Sequence, residues 1–297
     1  MLTIDPKNAT VPQIHSYLLG AVGPRPIAFA STIDKDGNPN LAPFSFFNVF
    51  SANPPIAVFS PARSGRTGAS KHTYDNIKEI PEVVINIVNH KMVYQMSLAS
   101  AEYPKGTNEF TKAGFTQVAS EIIKPFRVKE SPVQLECKVN QVIELGQNGG
   151  AGNLIICEVV LIHVSEDVLD EKQLIDQRKI DLVARMGGNW YCRAHGDALF
   201  EIAKPLTSLG IGVDAIPTSI KQSRFLTGNH LGQLGNCEQL PDETEVNEYK
   251  LMELSELFIK LEKDPIMLEN ELHKRAAELL DHGKPEEAWK TLLAYNG

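Results

Sequence analysis

Apolar runs of strand length dominate residues 27–190, some alternating with a period of two and others continuous as in buried strands. Residues 27–33 (IAFASTI) put Ile27, Phe29, Ser31 and Ile33 on one face and the small Ala28, Ala30 and Thr32 on the other. One face is built to pack, and the other leaves room. The turn residues 34–39 (DKDGNP) predict that Asn40 returns beside this strand as a hairpin, which brings Thr32 near residues 40–43. Further strands are predicted at 56–60 (IAVFS) and 83–88 (VVINIV), and as a long hairpin of 133–145 and 154–164 joined by the loop GQNGGAGN. Asn86 is the one polar residue of its run, so it either braces a loop or faces a ligand.

Helical patterns are shorter and lie between the strands: 11–20, 70–80 with Ser70 or Thr73 as N-cap, 91–101, and 107–113 with Thr107 as cap. There is no regular βαβ alternation, which favours an antiparallel barrel over a doubly wound sheet. Beyond residue 200 the pattern changes. Residues 201–247 hold short apolar pieces among Pro and Gly and are expected to wrap the barrel or a partner subunit. Three helices then follow, at 248–262 (Leu251, Leu254, Phe258 and Leu261 on one face), from Asp264-Pro265 to about 281, and at 285–295. The last two resemble a single tetratricopeptide-type hairpin, which implies a docking appendage or dimer clasp.

The 297 residues, 42% apolar, suffice for one large core or two modest ones. The net charge of −8 is uneven, because residues 241–297 carry −7 of it. That distribution is no nucleic-acid footprint. No run approaches the ~18 apolar residues of a spanning helix, and MLTIDPKNAT is unlike a signal peptide, so no membrane role and a cytoplasmic location are expected. The four cysteines form no CxxC pair, and their expected role is packing.

The chemistry concentrates in residues 41–73. An aromatic-rich stretch (Ala42, Pro43, Phe44, Ser45, Phe46, Phe47) comes first. Such a run alone is a core strand, yet Pro43, Ser45 and Asn48 break its pattern in a way that suits a loop lying against a flat heteroaromatic ligand. From Pro61 to Tyr74 there is no acid, while Arg63, Arg66 and Lys71 alternate with Ser64, Thr67, Ser70 and Thr73. A solvated loop has that composition too. A basic, glycine-containing loop between a strand and a helix start is also a good phosphate site. Neither GxxxxGK[ST] nor GxGxxG is present. No Ser-His-Asp set, metal-spaced His cluster or carboxylate pair stands out.

Six motifs in order, GPRPIAFAST (23–32), NLAPFSFFN (40–48), NPPIAVFS (53–60), KHTYDNI (71–77), VINI (84–87) and ARMGGNWY (184–191), resemble the flavin reductase-like proteins, the FMN-binding split-barrel group. The resemblance covers roughly residues 20–195. It implies a mainly β fold with peripheral α and a Greek-key split barrel, taken as a domain over residues 1–200; the wrapping segment at 201–247 and the helical extension at 248–297 lie beyond it and rest on their own patterns. It also implies a homodimer with FMN near the subunit interface. Thr32 and Ala42, Pro43, Phe44, Ser45, Phe46 and Phe47 would contact the ring and ribityl chain, and Ser45, Ser60, Lys71 and Thr73, with Arg66, would serve the phosphate. His72 stands where relatives often carry Asp and is expected as a plain surface residue; His195 is read as exposed. A flavin performs the redox step itself, so the missing catalytic set is no obstacle. The implied activity is NAD(P)H-dependent reduction of flavin, with electrons passed to free flavin, a partner monooxygenase or another acceptor. The alternative is a non-enzymatic FMN-binding electron carrier reduced by a protein donor.

Overall fold

The computed structural model describes residues 1–202 and 209–295. The chain divides into two compact units, residues 1–200 and 201–297. Residues 203–208, part of the expected wrapping segment, lie outside the described residues.

The first unit opens with helix α1 (Val11–Ala21), capped by reciprocal hydrogen bonds between Thr10 and Gln13. Four strands follow, β1 (Ala28–Ile33), β2 (Pro39–Phe44), β3 (Phe47–Ala52) and β4 (Pro55–Phe59), then α2 (His72–Glu79), β5 (Glu82–Ile87), α3 (Val93–Leu98) and α4 (Glu109–Ala113). Two short strands, β6 (Gln117–Val118) and β7 (Arg127–Val128), pair with each other. The long strands β8 (Val133–Glu144) and β9 (Asn153–Val164) form the hairpin expected from their pattern, and β10 (Val183–Arg185) pairs with β11 (Tyr191–Arg193).

Seven strands make one sheet in the order β2-β1-β5-β8-β9-β4-β3. Its edges, β2 and β3, are consecutive in the chain and joined only by Ser45 and Phe46. Flat, the sheet would place those edges roughly 29 Å apart at the usual strand spacing, whereas a two-residue link reaches about 10 Å. The sheet must therefore curl until one corner of each edge meets, and among the described residues no ladder pairs β2 with β3. Being an edge explains the prolines of β2: Pro39 and Pro43 have no N–H to give to a ladder. The expected loop at 42–47 is thus mostly strand end and strand start. On the outer side of β2 the carbonyls have no ladder partner, whereas Pro39 and Pro43 have no N–H and that of Leu41 goes to Glu109, so only part of the exposed backbone that the loop was expected to supply is there.

Both faces of β1 are buried. Phe29 and Leu41 pack with Met92, Met96 and Phe110 under α3 and α4. Ala28 and Ala30 face Tyr74 and Ile77 of α2, so the room left by small residues admits a helix. Asn86, fully buried, donates to the carbonyl of Phe29 (2.9 Å) and accepts from the N–H of Val128 (2.9 Å). It braces β7, and both ends of its amide are used within the core.

In the second unit, α5 (Thr218–Lys221), α6 (Gly228–Gly235), α7 (Glu243–Tyr249), α8 (Ser255–Lys260), α9 (Pro265–Asp281) and α10 (Pro285–Leu293) are all helical. Ile216, Ile220 and Leu234 share a core with Ala276, Leu280 and Trp289, so the described part of 201–247 packs with the C-terminal helices. The helix expected at 248–262 begins earlier, at the Asp242/Glu245 capping box, and passes through a π-helical turn at Lys250–Leu254. An α-helix advances about 100° per residue, so Val246 and Leu254 would point about 80° apart. The wider turn absorbs one residue and returns both to one stripe, where they are buried together.

Candidate functional site

A cleft of about 210 Å³ opens along the β2 edge, walled by Ala42, Pro43 and Phe44. Its opposite side is the basic loop (Ser64, Thr67, Ser70) and the segment after α3 (Ser100, Glu102, Tyr103). A second recess of about 370 Å³ adjoins it, sharing Pro43, Phe44 and Ser100.

The basic loop is held from outside. Arg63 N–H donates to Ala151 (2.8 Å), and Gly150 N–H donates to Arg63 (3.1 Å). Gly149 permits this, because a Cβ there would stand 2.9 Å from the carbonyl oxygen of Ser64. The glycine-rich β8–β9 loop is therefore part of the site's support. Arg63 itself points away, toward Glu144 (3.9 Å) and Gln147 (3.4 Å).

The loop delivers the chain to α2, whose N-cap is Lys71 and carries no side-chain cap. Ser70 and Thr73, the expected caps, are occupied elsewhere: Ser70 donates to Asp75 (2.7 Å), and Thr73 accepts from Asn40 (2.9 Å). The N–H of Tyr74 goes to the carbonyl of Lys71 (2.9 Å), and those of His72 and Thr73 have no side-chain acceptor at the positive pole of the helix. Lys71, His72 and Thr73 all line this end of the cleft, so His72 is half-buried in the wall and no plain surface residue. The cap of α4 is Asn108, which accepts from Phe110 (3.0 Å) and Thr111 (3.4 Å), one residue past the expected Thr107.

Lys71 Nζ is 3.0 Å from Glu102, and Arg66 reaches the same carboxylate at 2.7 Å. The hydrogen bond from Lys71, then the charges of Lys71 and Arg66, hold the Glu102 carboxyl below its usual range. A carboxylate thus occupies the anion position between two cations. This is the chemistry that a phosphate monoester would find there, and the residues fit such a group.

Of the other candidate residues, Thr32 is fully buried and off the cleft. Its hydroxyl accepts from Asn40 and Asn76 (both 3.2 Å), and Asn40 passes the contact on to Thr73. This network fixes the start of α2 against the β1–β2 hairpin. Ser60 is buried as well: its N–H donates to Phe46 (2.8 Å) and its hydroxyl accepts from the N–H of Asn153 (3.1 Å), which clasps the β2–β3 link. Ser45 lines the second recess and accepts from Arg25 (3.5 Å). Phe46 is 42% exposed, edge-on to His15, whereas Phe47 packs on the core. His195 sits 3.6 Å from Asp181, outside both recesses, and is exposed as expected.

Sequence reasoning missed Asn40, Glu102 and Glu109. Asn40 could have been found as the register partner of Thr32. Glu102 lies in an apparently plain surface segment and has no local signal. Glu109 is buried at the cleft, where its carboxylate accepts from the N–H of Leu41 (3.1 Å). Burial pushes this carboxyl up, against that hydrogen bond, its own N–H and the nearby His72.

Comparison with known proteins agrees with this architecture. The family described as flavin reductase like domain matches residues 21–182. An uncharacterized protein of Halalkalibacterium halodurans is 36% identical over 209 residues, which cover 70% of this chain and 98% of the relative. Nitrilotriacetate monooxygenase component B from Bacillus cereus superposes with a TM-score of 0.62 at 32% identity, covering 69% of this chain and 98% of that one. A structure with a split barrel domain from Shewanella frigidimarina gives 0.56 at 27% identity, over 67% and 95% of the two chains. Among the described residues no helix is long and apolar enough to cross a membrane.

Proposed function

The chain belongs to the flavin reductase-like family, and from that membership we propose that it is an FMN-binding oxidoreductase of split-barrel type. It takes hydride from NADH or NADPH and passes electrons to free flavin, a partner monooxygenase or another acceptor. The observation that carries this reading is the cleft, with the edge strand β2 along one side and a helix start without a side-chain cap, with Lys71, at one end.

The edge peptides of Ala42, Pro43 and Phe44, with Ser45 beyond them, would hold the ring and ribityl chain. Lys71, Arg66 and the first N–H groups of α2 would hold the phosphate. Thr32 and Ser60 act from behind, keeping helix start and strand link in place, and Thr73, which lines the phosphate end of the cleft, is itself held by Asn40. The flavin, when bound, supplies the hydride-accepting ring; the protein supplies binding, orientation and shielding from water. A partner monooxygenase as acceptor is supported by the name of the Bacillus cereus relative.

The protein would act as a homodimer with FMN near the interface. Val49 and Phe50 of the edge strand β3 are 58% and 69% exposed, and α1 buries none of its residues, an unusual amount of free apolar surface. Four free cysteines fit the reducing cytoplasm.

The test is anaerobic. FMN-loaded protein mixed with NADH or NADPH should bleach rapidly in the oxidised-flavin band. Bleaching only with dithionite or a reduced ferredoxin-like protein would make it an electron carrier, and a protein that takes up no FMN would exclude both.

A further inference from the structure

The second recess differs from the cleft in its charge. Its lining is apolar at Ile27, Phe44 and Met96 and polar at Ser97, Ser100, Asn189 and Arg185. Arg185 ends β10 and its backbone is fixed by two hydrogen bonds with Arg25 (2.9 and 2.8 Å). Its guanidinium stands 4.6 Å from the ring of Tyr191 and donates to the carbonyl of Trp190 (2.9 Å). That contact satisfies one of its five N–H donors. Among the described residues no carboxylate lies within ion-pair distance of it.

Its neighbour adds to the imbalance. Arg25 is buried with its guanidinium committed to the carbonyls of Leu19 (2.8 Å), Val22 and Met186 (2.9 Å), which ties α1 to the strand-β10 end without supplying any negative charge. Burial, then the charge of Arg185, push the Arg25 guanidinium down from its ordinary value. At the other end of the cleft, by contrast, Lys71 and Arg66 share Glu102. One end has an internal counter-ion; the other has a fixed, half-buried cation facing a polar and apolar hollow.

We propose that this recess is a second anion site, in which Arg185 binds the carboxylate or phosphate of a small ligand whose flat apolar part lies against Ile27, Phe44 and Met96. A planar guanidinium with free N–H groups matches either anion in bidentate fashion. The hydroxyls of Ser97 and Ser100 complete the polar side, and the apolar wall excludes a bare, fully hydrated ion as the preferred occupant. Where a flavin fills the neighbouring cleft, a ligand here lies alongside it, in the position of a donor or an acceptor.

The experiment is isothermal titration calorimetry of the full chain with sodium benzoate and with ADP-ribose, each against its uncharged counterpart, benzamide and adenosine. At least one anionic probe should saturate and bind about tenfold or more tightly than its counterpart. Benzoate alone identifies an organic acid as the ligand class, and ADP-ribose identifies a dinucleotide. Arg185→Gln should weaken the bound probe about tenfold or more, Arg185→Lys should restore part of that loss, and Lys71→Ala should leave it as in the wild type. No saturable binding, equal binding of charged and uncharged probes, an unaffected Arg185→Gln variant, or loss on Lys71→Ala instead, would each overturn the site. If Arg185→Gln does not fold, the charged-against-uncharged comparison on the wild type decides. FMN uptake, followed by absorbance on the same protein, reports on the flavin reading separately.

Discussion

Lys71 Nζ lies 3.0 Å from Glu102 Oε1 at the mouth of the cleft, so an internal carboxylate holds the cation that a bound phosphate would use. The pair is partly exposed and contributes little to folding. Its importance is competitive: any phosphate entering here displaces or repels Glu102.

Lys71→Ala should therefore weaken FMN binding by about 1.5–3 kcal/mol while leaving riboflavin binding unchanged. Glu102→Gln should act in the opposite direction, tightening FMN several-fold without affecting riboflavin. Flavin fluorescence titrations of both ligands check the pair. An equal change for riboflavin would place the phosphate elsewhere.

Asn86→Ala leaves the N–H of Val128 buried without its acceptor and removes the side-chain hydrogen bond to the carbonyl of Phe29, which keeps its place in the β1–β5 ladder. One such orphan costs about 1–3 kcal/mol, and a loss of that order is expected in urea denaturation of the first unit. Flavin binding by the protein that remains folded should be unaltered.

Glu136 gives the first unit an acid-sensitive staple. Burial opposes its ionisation, but the N–H groups of Glu121 (2.8 Å), Ile122 (2.8 Å) and Ile123 (3.3 Å) and the ring of His163 (2.8 Å) more than compensate, and the carboxyl is held below its usual range. With the folded value depressed, its stabilisation is complete above the unfolded value of about 4.3 and is lost as pH falls through the folded one. Glu136→Gln should lower the urea midpoint at neutral pH, by about 2–4 kcal/mol of stability. The gap to the wild type should narrow as pH drops below about 4.

Trp289 is fully buried and donates to the carbonyl of Leu234 (3.1 Å) in the core of the second unit. Ending the chain after residue 247 exposes Ile216, Ile220 and Leu234 by removing their partners, and that protein should aggregate. Ending it after residue 200 removes the unit whole and should leave soluble, FMN-binding protein. Trp289→Ala should destabilise the second unit by about 3–5 kcal/mol. Light scattering and limited proteolysis distinguish these outcomes.

Phe50→Glu places a charge on the exposed face of β3. If that face joins two copies, sedimentation should show a shift from dimer to monomer with the fold intact by circular dichroism.

Alternation and turn chemistry were enough to locate the β1–β2 hairpin, with Thr32 near residues 40–43, and the β8–β9 hairpin within a residue at each end. These features rest on neighbours along the chain or across one turn, and their apolar period and turn residues record them directly. The family motifs likewise marked the strand edge and the helix start that frame the cleft. Side-chain partners were another matter. Thr32 and Ser60 looked like ligand groups and proved to be supports, because their hydroxyls are claimed by Asn40, Asn76 and Asn153. Glu102 and Arg185 lie 31 and 114 positions from Lys71 in the chain, and no local pattern announces either. Only tertiary packing decides their surroundings: the segment after α3 brings Glu102 to Lys71, and the bridge to Arg25 fixes Arg185 where, among the described residues, no carboxylate lies within ion-pair distance.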